Sequence, residues 1–172
     1  MFTLRPLQLS DENSFRRALA EFATEVPKFD FAFQFEEDLS WKDYINNVEG
    51  WKQGVGNLVP ATYLVAVVDG EIIGRVSIRH QLNDFPKLYG GHVGYAVVPS
   101  KRKKGYATEI LRQALALCAD LGLKKIMISC DVGNKASKKV IERNGGVYER
   151  DTNLDDLNIQ KHIYFIETKL NH

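Results

Sequence analysis

The sequence predicts an α+β protein, in the mixed α/β sense of a mostly antiparallel central sheet with one parallel crossover and flanking helices. Three observations carry this. "TYLVAVV" and "EIIGRVSIRH" are apolar runs joined by Asp69-Gly70, a dipeptide suited to a two-residue hairpin turn. Residues 105–121 repeat apolar side chains at helical spacing. That helix stands between two strand-like runs, so segment 91–131 is expected to close as a right-handed parallel β-α-β crossover.

In chain order, "FTLRPLQL" alternates like a first strand. "SDENSFRRALAEFA" follows as a helix with Ser10 as its N-cap and acidic residues in its first turn. "PKFDFAFQF" places Phe29, Phe31, Phe33 and Phe35 at strand period and reads equally as an aromatic loop. "SWKDYINNVEGW" is helical after Ser40, and Gly54 and Gly56 end it. After the hairpin comes "GGHVGYAVV", closed by Pro99. The long helix carries its stripe at Ala107, Ile110, Leu111, Ala114, Leu115, Cys118 and Leu121, with Gly122 as its stop. "KKIMISCD" reads as a buried strand and "NKASKKVIERNGG" as a short helix ending at Gly145-Gly146. "GVYER" and "KHIYFIETKL" are the last strands.

The 172 residues contain no internal repeat and no low-complexity linker, so a single domain over 1–172 is expected. Lys and Arg number 23 against 22 Asp and Glu, a formal charge of +1 that speaks against a nucleic-acid partner. Cys118 and Cys130 belong to no cluster with zinc spacing, so buried thiols and no metal are expected. No stretch approaches the ~18 apolar residues of a membrane span, and "MFTLRPLQLSDENSF" lacks the apolar core of a signal peptide. The expectation is a cytoplasmic protein without a membrane partner.

Lys101, Arg102, Lys103 and Lys104 stand directly before Gly105 in "PSKRKKGYATEIL". Such a run fits a solvated loop, a nucleic-acid patch or a phosphate cradle. Its position between a strand ending at Val98 and a helix starting near Gly105 favours the cradle. The first amides of a helix lack intrahelical acceptors and carry partial positive charge. Gly105 and the small Ala107 let an anion approach them. Neither GxxxxGK(S/T) nor GxGxxG occurs, so neither a P-loop nor a dinucleotide fold is expected. Stacking aromatics of the kind that bind nucleic acid are not interleaved with the cations.

These residues resemble the GNAT family of acyl-CoA-dependent N-acetyltransferases. The family pattern is a strand ending in V-x-P, then (Q/R)xxGx(G/A) opening a long helix, then an Asn-x-x-Ser helix and a Gly turn. Here these are Val97–Pro99, Arg102–Ala107, Asn134–Ser137 and Asn144–Gly146. The resemblance implies the GNAT fold and direct transfer of an acetyl group from acetyl-CoA to a primary amine. It leaves open another acyl-CoA, a protein amine, or a CoA-binding sensor without catalysis. By resemblance, the amides of Arg102, Lys103, Lys104, Gly105, Tyr106, Ala107 and Thr108 hold the CoA pyrophosphate. The main chain at Val97 and Val98 pairs with the pantetheine arm, and one of those amides polarises the thioester carbonyl. Asn134 matches the CoA-contacting Asn, with Ser137 and Lys138 as further contacts. Homodimers are common in the family, although no residue singles out an interface.

The family's usual acid is a Tyr seven residues after that Asn, where this chain has Ile141. Tyr148 and Tyr164 are the substitutes considered, and Tyr164 in "IYFI" is preferred, against a role as a half-buried strand tyrosine. His92 is the expected base, since imidazole titrates near neutrality, with packing as the alternative. Arg79 and His80 are candidates for holding an acidic group of the substrate, and Phe33 for walling its pocket. Glu36, Glu37 and Asp38 either line an amine entrance or form a charge cluster at a helix N-terminus.

Overall fold

The computed structural model describes residues 1–84, 89–154 and 159–169. Four strands, β1 (Phe2–Arg5), β2 (Ala61–Val68), β3 (Glu71–Arg79) and β4 (Val93–Val97), form an antiparallel sheet in that order. A second antiparallel sheet has the order β5-β7-β6, with β5 Lys125–Asp131, β6 Val147–Leu154 and β7 Ile159–Glu167. The α-helices are α1 (Glu12–Ala23), α2 (Trp41–Gly50), α3 (Tyr106–Asp120) and α4 (Lys135–Arg143).

Element order follows the sequence pattern. Asp69 and Gly70, at φ 50° and 80°, turn β2 into β3 as a hairpin pair of positive-φ residues should. The stripe of α3 buries Ile110, Leu111, Ala114 and Cys118 against Val76, Ile78 and Val93 of the first sheet, in a core shared with Ile126, Ile128, Ile141 and Tyr164. The opposite face of that sheet carries Tyr63, Val65 and Val67 into an aromatic core with Phe15, Phe22, Phe31, Trp41 and Tyr44 from α1, α2 and the chain between them. Both cysteines are buried free thiols, as expected.

Three expectations need correction, and one open reading is decided. The N-cap of α1 is Asp11, not Ser10. The buried Asp11 carboxylate accepts hydrogen bonds from Arg5 and from the Gln8 N–H, which places Ser10 in a preceding 3-10 turn. Of the two readings of the phenylalanine run the loop holds, because Phe33 and Gln34 take φ of 45° and 51°, outside the range of a strand. Leu121 ends the α3 stripe half-exposed, as the C-cap. The parallel crossover is absent among the described residues: β4 and β5 lie in separate sheets. They meet at one joint, where the His92 N–H donates to Met127 O at 2.7 Å and Gly91 bridges Ile128. Gly91 sits at φ 66°, redirecting the chain just before β4, so the contact does not extend into a ladder. By contrast Ser40 caps α2 as predicted, accepting the Asp43 N–H. The predicted last strand runs on to Leu170, which lies outside the described residues.

Among the described residues no helix is long and apolar enough to cross a membrane.

Candidate active site

The loop from β4 to α3 is fastened from behind. Glu21 of α1 accepts both the Ser100 N–H and its hydroxyl, each at 2.9 Å. Glu25 takes a two-pronged hydrogen bond from Arg102, at 2.9 and 2.6 Å, and Glu71 pairs with Lys101 at 2.7 Å. Arg102 Nε also donates to Val97 O, tying the loop to the strand it leaves. The hydrogen bonds from Arg102 hold the Glu25 carboxyl below its usual value, as those from Lys101 do for Glu71. Two of the four cations are thus braces. Lys103 and Lys104 are exposed and form no ion pair among the described residues.

The front of the loop is bare backbone. Lys103 (φ 64°) and Gly105 (φ 83°) are left-handed among right-handed and extended neighbours, an alternation that turns successive N–H groups to one side. The amides of 103–107 take no hydrogen-bond acceptor among the described residues, whereas the next two, Thr108 and Glu109, both return to Gly105 O. A Cβ on Gly105 would point into open space and would be strained. The concavity therefore suits an anion.

β4 leads into this loop with one edge free. In its ladder with β3, Arg79 N–H donates to His92 O and Val98 N–H to Ile73 O. The alternation of an antiparallel pair then turns the N–H and C=O of Tyr95 and Val97 away from β3, to the side where no strand pairs. Val98, expected beside Val97 as a donor to ligand, has its N–H engaged within the sheet. Across the gap stands α4. Its N-cap Asn134 accepts the Ser137 N–H at 3.0 Å, and the Ser137 hydroxyl lies 2.8 Å from the Tyr95 phenol. Burial pushes that phenol up to about 12. Lys138 is exposed beside them. Ile141, one turn further along α4, is buried in the core.

A cavity of about 300 Å³ opens on the other face of β2 and β3, lined by Phe33, Trp51, Val55, Leu58, Tyr63, Ser77 and Arg79 among others. It brings Phe33 and Arg79 together. Arg75, Ser77 and Arg79 share one side of β3 at strand period. Arg75 is 3% exposed; it donates to Gly94 O, Asp30 O and the Ser77 hydroxyl. The rings of Phe29, Phe33 and Tyr63 lie 4.8, 4.9 and 5.8 Å from its guanidinium carbon. Its Nε has no hydrogen-bond partner among the described residues. Arg79 donates to Gly91 O at 3.0 Å. Burial lowers both arginines from their ordinary value.

The remaining candidates fall elsewhere. His80 does not line the cavity; its Nε2 hydrogen-bonds Thr62 Oγ1 at 2.7 Å, and burial, then Lys52, lowers its pKa. His92 stands at the joint, where its Nδ1 accepts the Met127 N–H at 3.0 Å. That hydrogen bond engages the lone pair a base would use and leaves the proton of the neutral ring on Nε2. Tyr164 is 1% exposed in the core, 3.5 Å from Glu142, its phenol pushed up to about 12 by burial and then by that carboxylate. Tyr95 and Arg75 went unnoticed in the sequence. Arg75 had a signal, since R-x-S-x-R at strand period puts two charges on one side of an otherwise apolar strand. Glu36, Glu37 and Asp38 are exposed and outside the cavity.

The acetyltransferase (GNAT) domain family matches residues 2–147. No curated protein matches the chain significantly in sequence. RimJ of Mycobacterium smegmatis, solved with a CoA disulfide, superposes with a TM-score of 0.72 at 19% identity over 96% of this chain and 81% of that one. The structure of yncA from Salmonella typhimurium, with acetyl-CoA, gives 0.67 at 13% identity over 99% and 95%. An N-acetyltransferase from Staphylococcus aureus Mu50 gives 0.68 at 15% identity over 98% and 99%. At these identities the likeness is one of fold.

Proposed function

The chain belongs to the GNAT acetyltransferase family and uses acetyl-CoA, and on that premise we propose that it passes the acetyl group directly to a primary amine held in the cavity on β2 and β3. The observation that carries this reading is the run of unpartnered amides at 103–107, continuous with the free edge of β4. The CoA pyrophosphate rests on those amides, and Lys103 and Lys104 balance its phosphates. The pantetheine arm pairs with the main chain of Tyr95, with the Asn134 side-chain amide and Lys138 beside it.

The Val97 N–H polarises the thioester carbonyl, because the Val98 N–H is occupied by Ile73 O. The amine nitrogen attacks the carbonyl carbon, the C–S bond breaks, and its electron pair leaves on sulfur. The thiolate takes the Tyr95 phenolic proton, which burial keeps in place at neutral pH, and the proton shed by the acylated nitrogen passes through solvent to restore the phenol. Tyr95 thereby supplies from β4 what the family places on α4 at the position of Ile141. Among the described residues lining the cavity none carries an imidazole or a carboxylate. The acceptor therefore loses its proton to solvent, and kcat/KM climbs with pH toward the acceptor's own pKa.

Thermal melting with acetyl-CoA and with CoA tests the reading, since a ligand of the folded state raises the midpoint. No shift with either at near-millimolar concentration overturns it. A shift without thiol release across a broad amine panel favours a CoA-binding sensor.

A further inference from the structure

β3 carries two guanidiniums on the side that faces the cavity and its aromatic wall, and neither has a carboxylate partner among the described residues. Arginines elsewhere in the chain are held differently, Arg5 by Asp11 and Arg102 by Glu25. Charges withdrawn from water are ordinarily paired, because an unpaired one forfeits its solvation. Among the described residues Arg75, 3% exposed, makes hydrogen bonds only to carbonyls and one hydroxyl, lies against aromatic faces, and its Nε is left without a hydrogen-bond partner. Arg79 lines the cavity directly and spends one N–H on Gly91 O, leaving the rest of its planar fork without a protein acceptor among the described residues. That fork matches a carboxylate in shape and charge. Two uncompensated cations beside an acceptor site also repel a purely cationic amine such as a polyamine.

The rest of the lining is apolar. Phe33, Trp51 and Tyr63 stand against Val55 and Leu58, and about 300 Å³ lies at the small end of ligand cavities, enough for one amino-acid-sized molecule. Ser77 sits between the two arginines and reaches Gly94 O on β4 at 3.4 Å, so the polar end of the cavity is the end nearest the strand assigned to CoA.

We propose that the acceptor is a free apolar or aromatic amino acid, its carboxylate on Arg79, its side chain against Phe33, Trp51 and Tyr63, and its amine toward Ser77 and β4. This rests on the acetyl-transfer reading and adds the chemical class of its acceptor. Arg75 strengthens the positive field behind the carboxylate without touching it.

Thiol release from acetyl-CoA is measured with L-phenylalanine and L-leucine, beside phenethylamine and isopentylamine, which lack only the carboxylate. The amino acids are expected to be turned over with kcat/KM at least about 10- to 100-fold higher, the worth of a charge-assisted hydrogen bond. Arg79→Gln is expected to raise KM for the amino acid by a similar factor and to bring the two acceptor types near parity. Arg79→Lys, which keeps the charge and loses the fork, is expected to fall between. Should the variants fail to fold, 3-phenylpropanoate, which has the carboxylate and no amine, is expected to inhibit the unaltered protein competitively against L-phenylalanine. Equal use of phenethylamine and L-phenylalanine, a preference for an apolar dipeptide over the free amino acid, or no turnover of amino acids by protein shown to bind acetyl-CoA overturns the assignment alone. Failure to bind acetyl-CoA overturns it together with the reading beneath it.

Discussion

Tyr95 illustrates how one side chain can take a role through its surroundings. It starts on β4, crosses the gap between the sheets and ends 2.8 Å from the Ser137 hydroxyl on α4. Tyr95→Phe is expected to lower kcat about 10- to 100-fold, the modest end of what a positioned proton donor contributes. Affinity for CoA, measured by titration, should stay within about twofold, because the phenol is not part of the cradle. His92 supports structure at the joint, and its titration should appear in stability. Burial first, and then the nearby Arg79 charge, hold its imidazole below the ordinary 6.5. The folded protein then binds this proton more weakly than the unfolded chain. The contribution is complete above pH about 6.5 and is lost as pH falls from there through the lower folded value. Melting curves between about pH 8 and 5 should show that extra loss. His92→Gln should show a flatter profile and start about 1–3 kcal/mol less stable, since it disturbs the acceptor of a buried N–H.

At the scale of elements, the β4–α3 loop divides its cations between two tasks. Lys101 and Arg102 reach back to Glu71 and Glu25, and Lys103 and Lys104 stand free in front. Replacing Lys103 and Lys104 together by Gln should weaken CoA binding about 10-fold and flatten its salt dependence, with the melting point of the empty protein almost unchanged. Arg102→Gln should instead cost about 1 kcal/mol of stability, because the pair it removes is partly exposed. The cradle was legible in the sequence because its logic is local: a strand, a basic turn, Gly105 and an amphipathic helix follow one another directly. The division of the cations was not, since Glu25 and Glu71 are 77 and 30 residues from their partners. The aromatic run stayed undecided for a similar reason. Its alternating phenylalanines mimic a strand, yet Phe31 packs on Phe15 and Phe22 of α1 while Phe29 and Phe33 cover Arg75, contacts that only tertiary packing creates.

On the scale of the molecule, two sheets share one joint. Hydrophobic spacing revealed every strand on either side of it, but the gap between β4 and β5 depends on Gly91. A Cβ there would lie 2.4 Å from Met127 O, and its φ of 66° is one that side chains rarely adopt. Strand patterns carry no sign of where a ladder ends, so a parallel crossover was the natural expectation. Gly91→Ala should destabilise the fold by about 2–4 kcal/mol in urea unfolding, combining backbone strain with a steric clash. It should weaken CoA binding as well, since the same joint sets the width of the gap.

The free edge of β4 has a further consequence. A strand edge without a neighbouring strand, here with only Val97 O taken by Arg102 among the described residues, is a template for any other extended chain, and proteins ordinarily blunt or cover such edges. Here the edge cannot be blunted without losing the ligand, so the empty protein carries a built-in tendency to self-associate. Light scattering during slow heating should rise earlier for the empty protein than for one saturated with CoA, by more than the shift in melting point alone explains. Acetyl-CoA would then act as the missing strand that keeps the protein dispersed.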